Sequence, residues 1–209
     1  MLELIASIFF AMAEYNIITL FAGYIAAGIL FYFSSKSKTS TKKTYIRIFA
    51  ILIFIYSNFN VFFGHTIAGN LINGIGEKGT AVTVSIRQTN NQYNDYWIME
   101  YTIIIETKEK EKIETTFEDA DFNLYPKPAQ GYAYPVVGEK FSVKYLSSNP
   151  KAFVIITDDD SPYSKRIKCD YLKTKFDEAY QKFKFDSTNS KYREQYIKTQ
   201  NELEENGCF

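Results

Sequence analysis

Two long apolar segments dominate the pattern of hydrophobic and polar positions in the first third of the chain. Residues 17–33 contain no charged side chain, and residues 45–64 contain only Arg47. With its flanks, each segment reaches about 20 residues, the length needed to cross the hydrocarbon of a bilayer. An unbonded backbone amide costs several kcal/mol there, so both segments are predicted to be helices. We expect transmembrane helices at about 15–34 and 45–64, with a pair of buried core helices as the alternative.

A basic loop between the apolar segments, residues 35–44, predicts their orientation. It holds four lysines and no acidic residue: Lys36, Lys38, Lys42 and Lys43. Under the positive-inside rule such a loop stays in the cytoplasm, so both termini are expected on the opposite side of the membrane. The predicted location is the cytoplasmic (inner) membrane of a bacterium, crossed more than once, with the lipid bilayer itself as a partner.

Residues 1–76 are therefore predicted to form a membrane anchor. Residues 2–13 are apolar and end at Glu14. A short interfacial helix is favoured here over an extension of the first span, because a glutamate deep in lipid needs a partner. Small side chains recur every four residues on the first span, at Thr19, Gly23 and Ala27. Such a stripe lets another helix approach closely, which predicts a hairpin with the second span and leaves self-association as the weaker alternative.

Apolar and polar positions alternate beyond residue 79, as is typical of half-buried strands. Three segments show the alternation: 81–87, 113–117 and 141–145. Two further strands are predicted at 96–107, which is rich in aromatic and branched residues, and at 152–157. A polar turn at 88–95 and a charged turn at 108–112 separate the first three strands along the chain. Residues 77–157 are predicted to form a small antiparallel β barrel or sandwich of about five strands. Three glycines around its start predict a flexible exit from the anchor: Gly74, Gly76 and Gly79.

Residues 118–137 are less regular and combine prolines with aromatic side chains. The prolines exclude a central strand. A long aromatic loop either covers the edge of a sheet or recognises a partner, and the cover is favoured. If the loop is a recognition surface, the predicted partner-binding residues are Phe122, Tyr125, Tyr132 and Tyr134.

The order of these features resembles a known family. Two apolar helices and a glycine exit precede a G-T-A-x-V strand, a Y-x-I strand and a charged turn, and the region closes with V-G-E-K-F-S-V-K-Y-L-S-S-N-P at Val137–Pro150. This looks like a widespread bacterial membrane-anchored domain family of unknown function, whose members end in V-G-x-x-V-x-V-x-Y-x-P-x-N-P. The resemblance covers roughly residues 79–156 and departs at Phe141, where an aliphatic residue is usual, and at Ser147, where proline is common. It implies a small extracytoplasmic β-domain and no activity, so it identifies no catalytic residue.

Apolar residues recur at helical spacing in residues 158–209, which are predicted to form two helices. Asp160 or Ser161 is predicted to cap the first helix, and Pro162 suits its first turn. After a polar turn, Ser190 is a plausible cap for a second helix. The two helices are expected to form an antiparallel hairpin.

Two cysteines lie at nearly equal distances from the turn of this hairpin. An antiparallel arrangement brings Cys169 and Cys208 to about the same height. Because oxidation is permitted outside the cytoplasm, we predict a Cys169–Cys208 disulfide, with free cysteines as the alternative.

The charge balance and the single histidine limit the partners, metal sites and catalytic mechanisms that the chain can have. Lys+Arg and Asp+Glu are both 24, and a net charge of zero argues against nucleic acid as a partner. His65 alone rules out a His-rich metal site and is the one candidate base for Ser-His or Cys-His catalysis. A polar site formed by Asn58, Asn60 and His65 is conceivable, but bonds to neighbours or interfacial water are favoured. We expect no metal, no cofactor and no catalytic residue.

Together these features predict a non-catalytic, extracytoplasmic binding or assembly module that is anchored in the membrane and contacts another envelope protein. One alternative is an immunity protein that neutralises an envelope-acting toxin. The other is an enzyme that acts on glycans with carboxylates, since two acids can suffice for that chemistry. Its candidate residues are Glu118, Asp119 and Asp121, for which a solvated charged turn is the favoured interpretation.

Overall fold

A computed structural model of the chain describes residues 1–121, 123–128 and 131–208. Five α-helices lie in this part of the chain: α1 (Leu2–Glu14), α2 (Asn16–Lys36), α3 (Ser40–Ile75), α4 (Pro162–Phe185) and α5 (Ser190–Glu205). Six strands lie between α3 and α4: β1 (Glu77–Tyr93), β2 (Tyr96–Glu106), β3 (Lys112–Glu118), β4 (Leu124–Tyr125), β5 (Lys140–Leu146) and β6 (Asn149–Ile156). A 3₁₀ turn at Asp119–Asp121 follows β3.

Within the described residues, α2 and α3 are the helices that are long and apolar enough to cross a membrane. They pack antiparallel, with Ser34 Oγ donating a hydrogen bond to Lys43 O near one end. Further along, Gly23 lies against Ser57, where an added Cβ atom would be 1.8 Å from Ser57 Oγ. The missing side chain of Gly23 thus permits the close approach of the two helices.

α1 is a short helix distinct from α2, because Tyr15 leaves the helical conformation between them. It packs against the second half of α3. Asn60 Nδ2 donates a hydrogen bond to Met12 O over 2.7 Å, and Phe9 meets Tyr56 edge to face with ring centroids 5.9 Å apart. α1 and α2 therefore both pack against the same long helix.

The strands form one sheet in the order β3-β2-β1-β5-β6-β4. Neighbours are antiparallel except β4, which runs parallel to β6. The sheet therefore has six strands rather than about five, and it is mixed and open rather than a closed antiparallel barrel. β4 explains the difference, because it occupies the edge of β6 to which β3 would have to bond for closure.

Both faces of the sheet are covered at β5 and β6. On one face the strands pack with the beginning of α4 in a core that includes the fully buried Phe141, Tyr145 and Tyr163. On the other face α1 and the end of α3 pack against β5 and β6 through six buried residues: Ala6, Ile72, Leu146, Ala152, Val154 and Ile156. The apolar helices and the sheet thus share a hydrophobic core.

The glycines after α3 are sites of close packing and do not form a flexible exit. A Cβ atom on Gly76, which ends α3, would lie 2.5 Å from Ile72 O. A Cβ atom on Gly79 would lie 2.8 Å from Glu106 O on the neighbouring strand. Because β1 begins immediately after Gly76, no linker separates the helix from the sheet.

The β1–β2 hairpin extends beyond the rest of the sheet. β1 is 17 residues long, and it pairs with β5 only as far as Val82. The predicted polar turn at 88–95 is reduced to Asn94 and Asp95, which have φ angles of 49° and 67°. Two residues with positive φ form a tight turn whose twist matches that of the strands, so the strands continue to the end of the hairpin.

The C-terminal helices form the predicted antiparallel hairpin, with rings of Phe176 and Phe183 on α4 packed against Tyr196 on α5. Ser161 caps α4 by accepting a hydrogen bond from the amide of Ser164. The cap of α5 is Asn189 rather than the predicted Ser190, because its side chain accepts hydrogen bonds from two amides in the first turn.

Candidate functional site

The loop predicted as a cover or a recognition surface, residues 118–137, contributes much of its aromatic content to the core. Tyr134 is buried in the core shared with α4. Tyr125 is half-buried in β4 and packs against the cluster formed with α1 and α3. Tyr132 is exposed, and Phe122 lies outside the described residues. The described tyrosines therefore form no continuous exposed patch.

The other predicted site residues lie in different parts of the fold. The Sγ atoms of Cys169 and Cys208 are 2.08 Å apart, at the distance of a disulfide, and join α4 to the residue following the turn after α5. Gly23 and the buried Ala27 lie in the α2–α3 pair. Thr19 Oγ1 donates a hydrogen bond to Met12 O over 3.2 Å, so it links α2 to α1.

A half-buried ion pair ties Glu139, the residue before β5, to α4. Arg166 donates two hydrogen bonds to Glu139, from Nε to Oε1 over 2.7 Å and from Nη2 to Oε2 over 2.9 Å. Nη2 also donates to Tyr134 O over 3.1 Å. The bidentate contact fixes Glu139 against the helix, and the bond to Tyr134 O fixes the loop. No sequence pattern marks Arg166, which is one of many charged residues on its helix.

The aspartates of the acidic cluster accept main-chain hydrogen bonds. Asp119 Oδ1 accepts from the amide of Met99 over 3.2 Å, and Asp121 Oδ2 accepts from the amide of Glu118 over 2.7 Å. These contacts hold the 3₁₀ turn in place. In the part of the chain that the structure describes, no group of three His, Cys, Asp or Glu side chains is arranged to hold a metal ion.

A cleft of about 530 Å³ lies where the apolar helices meet the sheet, and we call it the junction cleft. One wall comes from the end of α1 and from α3, and carries Glu14, Tyr15 and His65. The opposite wall comes from β3, the 3₁₀ turn and the start of β6, and carries Glu114, Asp121, Asn123, Asn149 and Lys151. The cleft therefore lies beside the two strands between which a barrel would have closed.

Charges of both signs meet in the junction cleft. Its carboxylates come from three separate elements: Glu14, Glu114 and Asp121. Lys151 is the positively charged group of the cleft, while burial lowers the pKa of His65 and favours its neutral imidazole. Across the described residues, the side chains of Glu14, Glu114 and Lys151 have no hydrogen-bond or ion-pair partner. The walls thus offer unpaired groups of both signs to a ligand.

Burial perturbs the carboxyl groups of the cleft. It raises the pKa of Asp121 to about 6, and the charges of Glu118 and Asp119 act in the same direction, against the hydrogen bond from the Glu118 amide. Burial, followed by the charge of Asp121, also raises the pKa of Glu14. The carboxyl groups therefore disfavour one another's negative charge unless a cation lies between them.

A second exposed feature is the end of the β1–β2 hairpin, where three aromatic side chains cluster. Tyr93, Tyr96 and Trp97 are 64%, 79% and 47% exposed, and we call them the aromatic tip. Tyr93 lies opposite Tyr96 across the two strands. A pair of turn residues, Asn94 and Asp95, between two tyrosines is the sequence signal for this hairpin.

Comparison of the chain with known protein families, with curated proteins and with solved structures finds no match.

Proposed function

We propose that the protein is a non-catalytic module that is anchored in the cytoplasmic membrane and binds another envelope protein outside the cytoplasm. The aromatic tip is the observation that carries this proposal. Its three large side chains lie at the end of an extended hairpin, largely outside the core. Tyrosine and tryptophan are enriched at the energetically dominant positions of protein interfaces. No contact of the described residues favours the immunity protein or the carboxylate enzyme.

The exposed apolar side chains of α2 and α3 support anchoring in the membrane. Side chains such as Phe21, Tyr24 and Ile25 on α2 and Phe62 on α3 are exposed in the isolated chain. In water so large an apolar surface is unfavourable, whereas hydrocarbon accommodates it. The lysine-rich connection between the two helices supports placing that end in the cytoplasm and the sheet outside.

The core shared by the helices and the sheet supports an assembly role. It fixes the sheet, and with it the aromatic tip, relative to the anchor instead of leaving the domain on a tether. A surface that is already positioned loses less conformational entropy when it binds. A partner in the same membrane would therefore meet the tip in one defined orientation.

Site-specific photo-crosslinking in the native membrane tests the proposal. A photoreactive amino acid replaces Tyr96 at the aromatic tip, and in a matched control it replaces Glu109 in the exposed turn between β2 and β3. We expect one discrete adduct from position 96, whose attached protein mass spectrometry identifies, and none from position 109. The same adducts from both positions, or no adduct from position 96, would contradict the proposal.

A further inference from the structure

We propose that the junction cleft binds the headgroup of a zwitterionic phospholipid that carries a primary ammonium group, the chemistry of phosphatidylethanolamine. Glu14 and Asp121 would receive the ammonium group, and Lys151 with His65 would receive the phosphate. The inference rests on the membrane anchoring proposed above and adds a ligand to a part of the molecule that the aromatic tip does not involve.

The position of the cleft selects a lipid headgroup. Glu14 and Tyr15 directly precede α2, and His65 follows the apolar length of α3 that ends at Gly64. With α2 and α3 in the hydrocarbon, these three residues lie where the apolar core of the bilayer ends. The cleft therefore opens at the level of the phosphate and ammonium groups of the outer leaflet.

The charges of the cleft match a dipolar ligand. A purely anionic headgroup would meet three carboxylates, and a purely cationic ligand would leave Lys151 without a partner. A headgroup that carries both an ammonium and a phosphate provides a partner for the carboxylates and for Lys151. Charge-assisted hydrogen bonds of this kind are about twice as strong as those between neutral groups.

Hydrogen-bond capacity distinguishes a primary ammonium from a quaternary one. The cleft has acceptors in its carboxylates, and Asn123 Oδ1 on the same wall is buried with no hydrogen-bond partner among the described residues. A primary ammonium group donates three hydrogen bonds, whereas a trimethylammonium group donates none and is recognised by aromatic faces. The acceptors of the cleft therefore favour ethanolamine over choline. Aromatic side chains also line the cleft, but Phe117 and Phe153 are at most 5% exposed and present little ring face to a ligand.

The size of the cleft allows the whole headgroup to enter. Its volume of about 530 Å³ falls within the roughly 300–1,000 Å³ typical of small-molecule sites. The cleft is not enclosed, so the acyl chains need not enter it and can stay in the bilayer.

Native mass spectrometry of the full-length protein tests this inference. The protein is inserted into nanodiscs that hold equal amounts of phosphatidylethanolamine, phosphatidylcholine and phosphatidylglycerol with identical acyl chains, and the lipids that remain bound on release are counted. The cleft variant is the double substitution Glu14→Gln and Lys151→Gln. The matched control is Lys108→Gln with Glu109→Gln, which makes the same charge changes in an exposed turn.

We expect the wild-type chain and the control to retain the ethanolamine lipid about tenfold over the other two, and the cleft variant to lose that preference. A preference that survives in the cleft variant, or is absent from the wild-type chain, overturns the site. In a further arm, soluble glycerophosphoethanolamine is added as a competitor. If it displaces all of the bound ethanolamine lipid, a lipid is not the source of the headgroup, and that part of the inference is wrong. A chain that does not enter the nanodisc overturns the anchoring as well, whereas a chain that enters it without lipid preference overturns this inference alone.

Discussion

Asp121 occupies a place where its charge is unfavourable. Its carboxylate accepts a hydrogen bond from the Glu118 amide, yet burial and the neighbouring acidic residues raise its pKa to about 6. The folded chain thus binds a proton at Asp121 more tightly than the unfolded chain does. The resulting stabilisation is fully present below the ordinary aspartate pKa, near pH 4, and is lost as the pH rises through about 6.

From this we predict that Asp121→Asn stabilises the protein at pH 8, by on the order of 1–3 kcal/mol, and has little effect at pH 4. The amide oxygen of asparagine can still accept the hydrogen bond from Glu118. Thermal unfolding in detergent, followed by circular dichroism at the two pH values, measures the difference. Asp158→Asn, at an exposed position outside the cleft, serves as the control. An Asp121→Asn variant that is less stable than the wild type at pH 8 contradicts the prediction.

At the scale of elements, the joint between α3 and β1 decides how the sheet is held. The backbone of Gly79 passes so close to β2 that an added Cβ atom would lie 2.8 Å from Glu106 O. A backbone oxygen cannot move away as the end of a flexible side chain can. This joint is therefore tightly packed at a position where glycines in the sequence predict flexibility.

Gly79→Ala is accordingly predicted to destabilise the protein by about 1–3 kcal/mol, the usual cost of inserting atoms into a packed site. Gly74→Ala is the matched control, because a Cβ atom at Gly74 has nothing within 4 Å and alanine favours the helix by up to about 1 kcal/mol. Melting temperatures of the two variants in detergent should move in opposite directions. Equal small shifts would show that the strands separate without cost at Gly79.

At the scale of the whole molecule, the two ends of α3 are predicted to lie on opposite sides of the membrane. In a Cys169→Ser, Cys208→Ser background, Glu109→Cys should react with a membrane-impermeant maleimide in spheroplasts, and Ser37→Cys should react only after lysis. In the wild-type chain the two native cysteines should resist alkylation until they are reduced, because their sulfur atoms are bonded. Labelling of Ser37→Cys in intact spheroplasts would reverse the proposed orientation.

Elements with a strong local pattern could be predicted from the sequence. The apolar segments of α2 and α3 are long and nearly free of charge, and the C-terminal hairpin shows helical spacing. β5 alternates, whereas β6 contains a short continuous apolar run because residues 152–156 are buried on both sides. Apolar and polar residues do not alternate at the end of β1, because both faces of the extended hairpin are solvated beyond Ile86. A pattern that depends on burial cannot mark a strand that has no buried face.

The junction cleft could not be predicted in the same way. Its groups come from elements far apart in the sequence, and only the tertiary fold brings Glu14 and His65 opposite Asp121 and Lys151. The open sheet was missed for a related reason. β4 has only two residues, too few to show a period, yet it decides whether β3 and β6 can meet.

One helix, α3, runs without a break for 36 residues, about 54 Å at the usual rise per residue, and its last turns lie inside the core of the sheet. A change in the tilt of α3 is therefore transmitted to the sheet. A bilayer that becomes thinner or thicker changes the tilt of a spanning helix, and the sheet, having no hinge at the joint, must turn with it. The height of Tyr96 and Trp97 above the membrane, and the direction in which they face a neighbouring protein, would then depend on the thickness of the membrane.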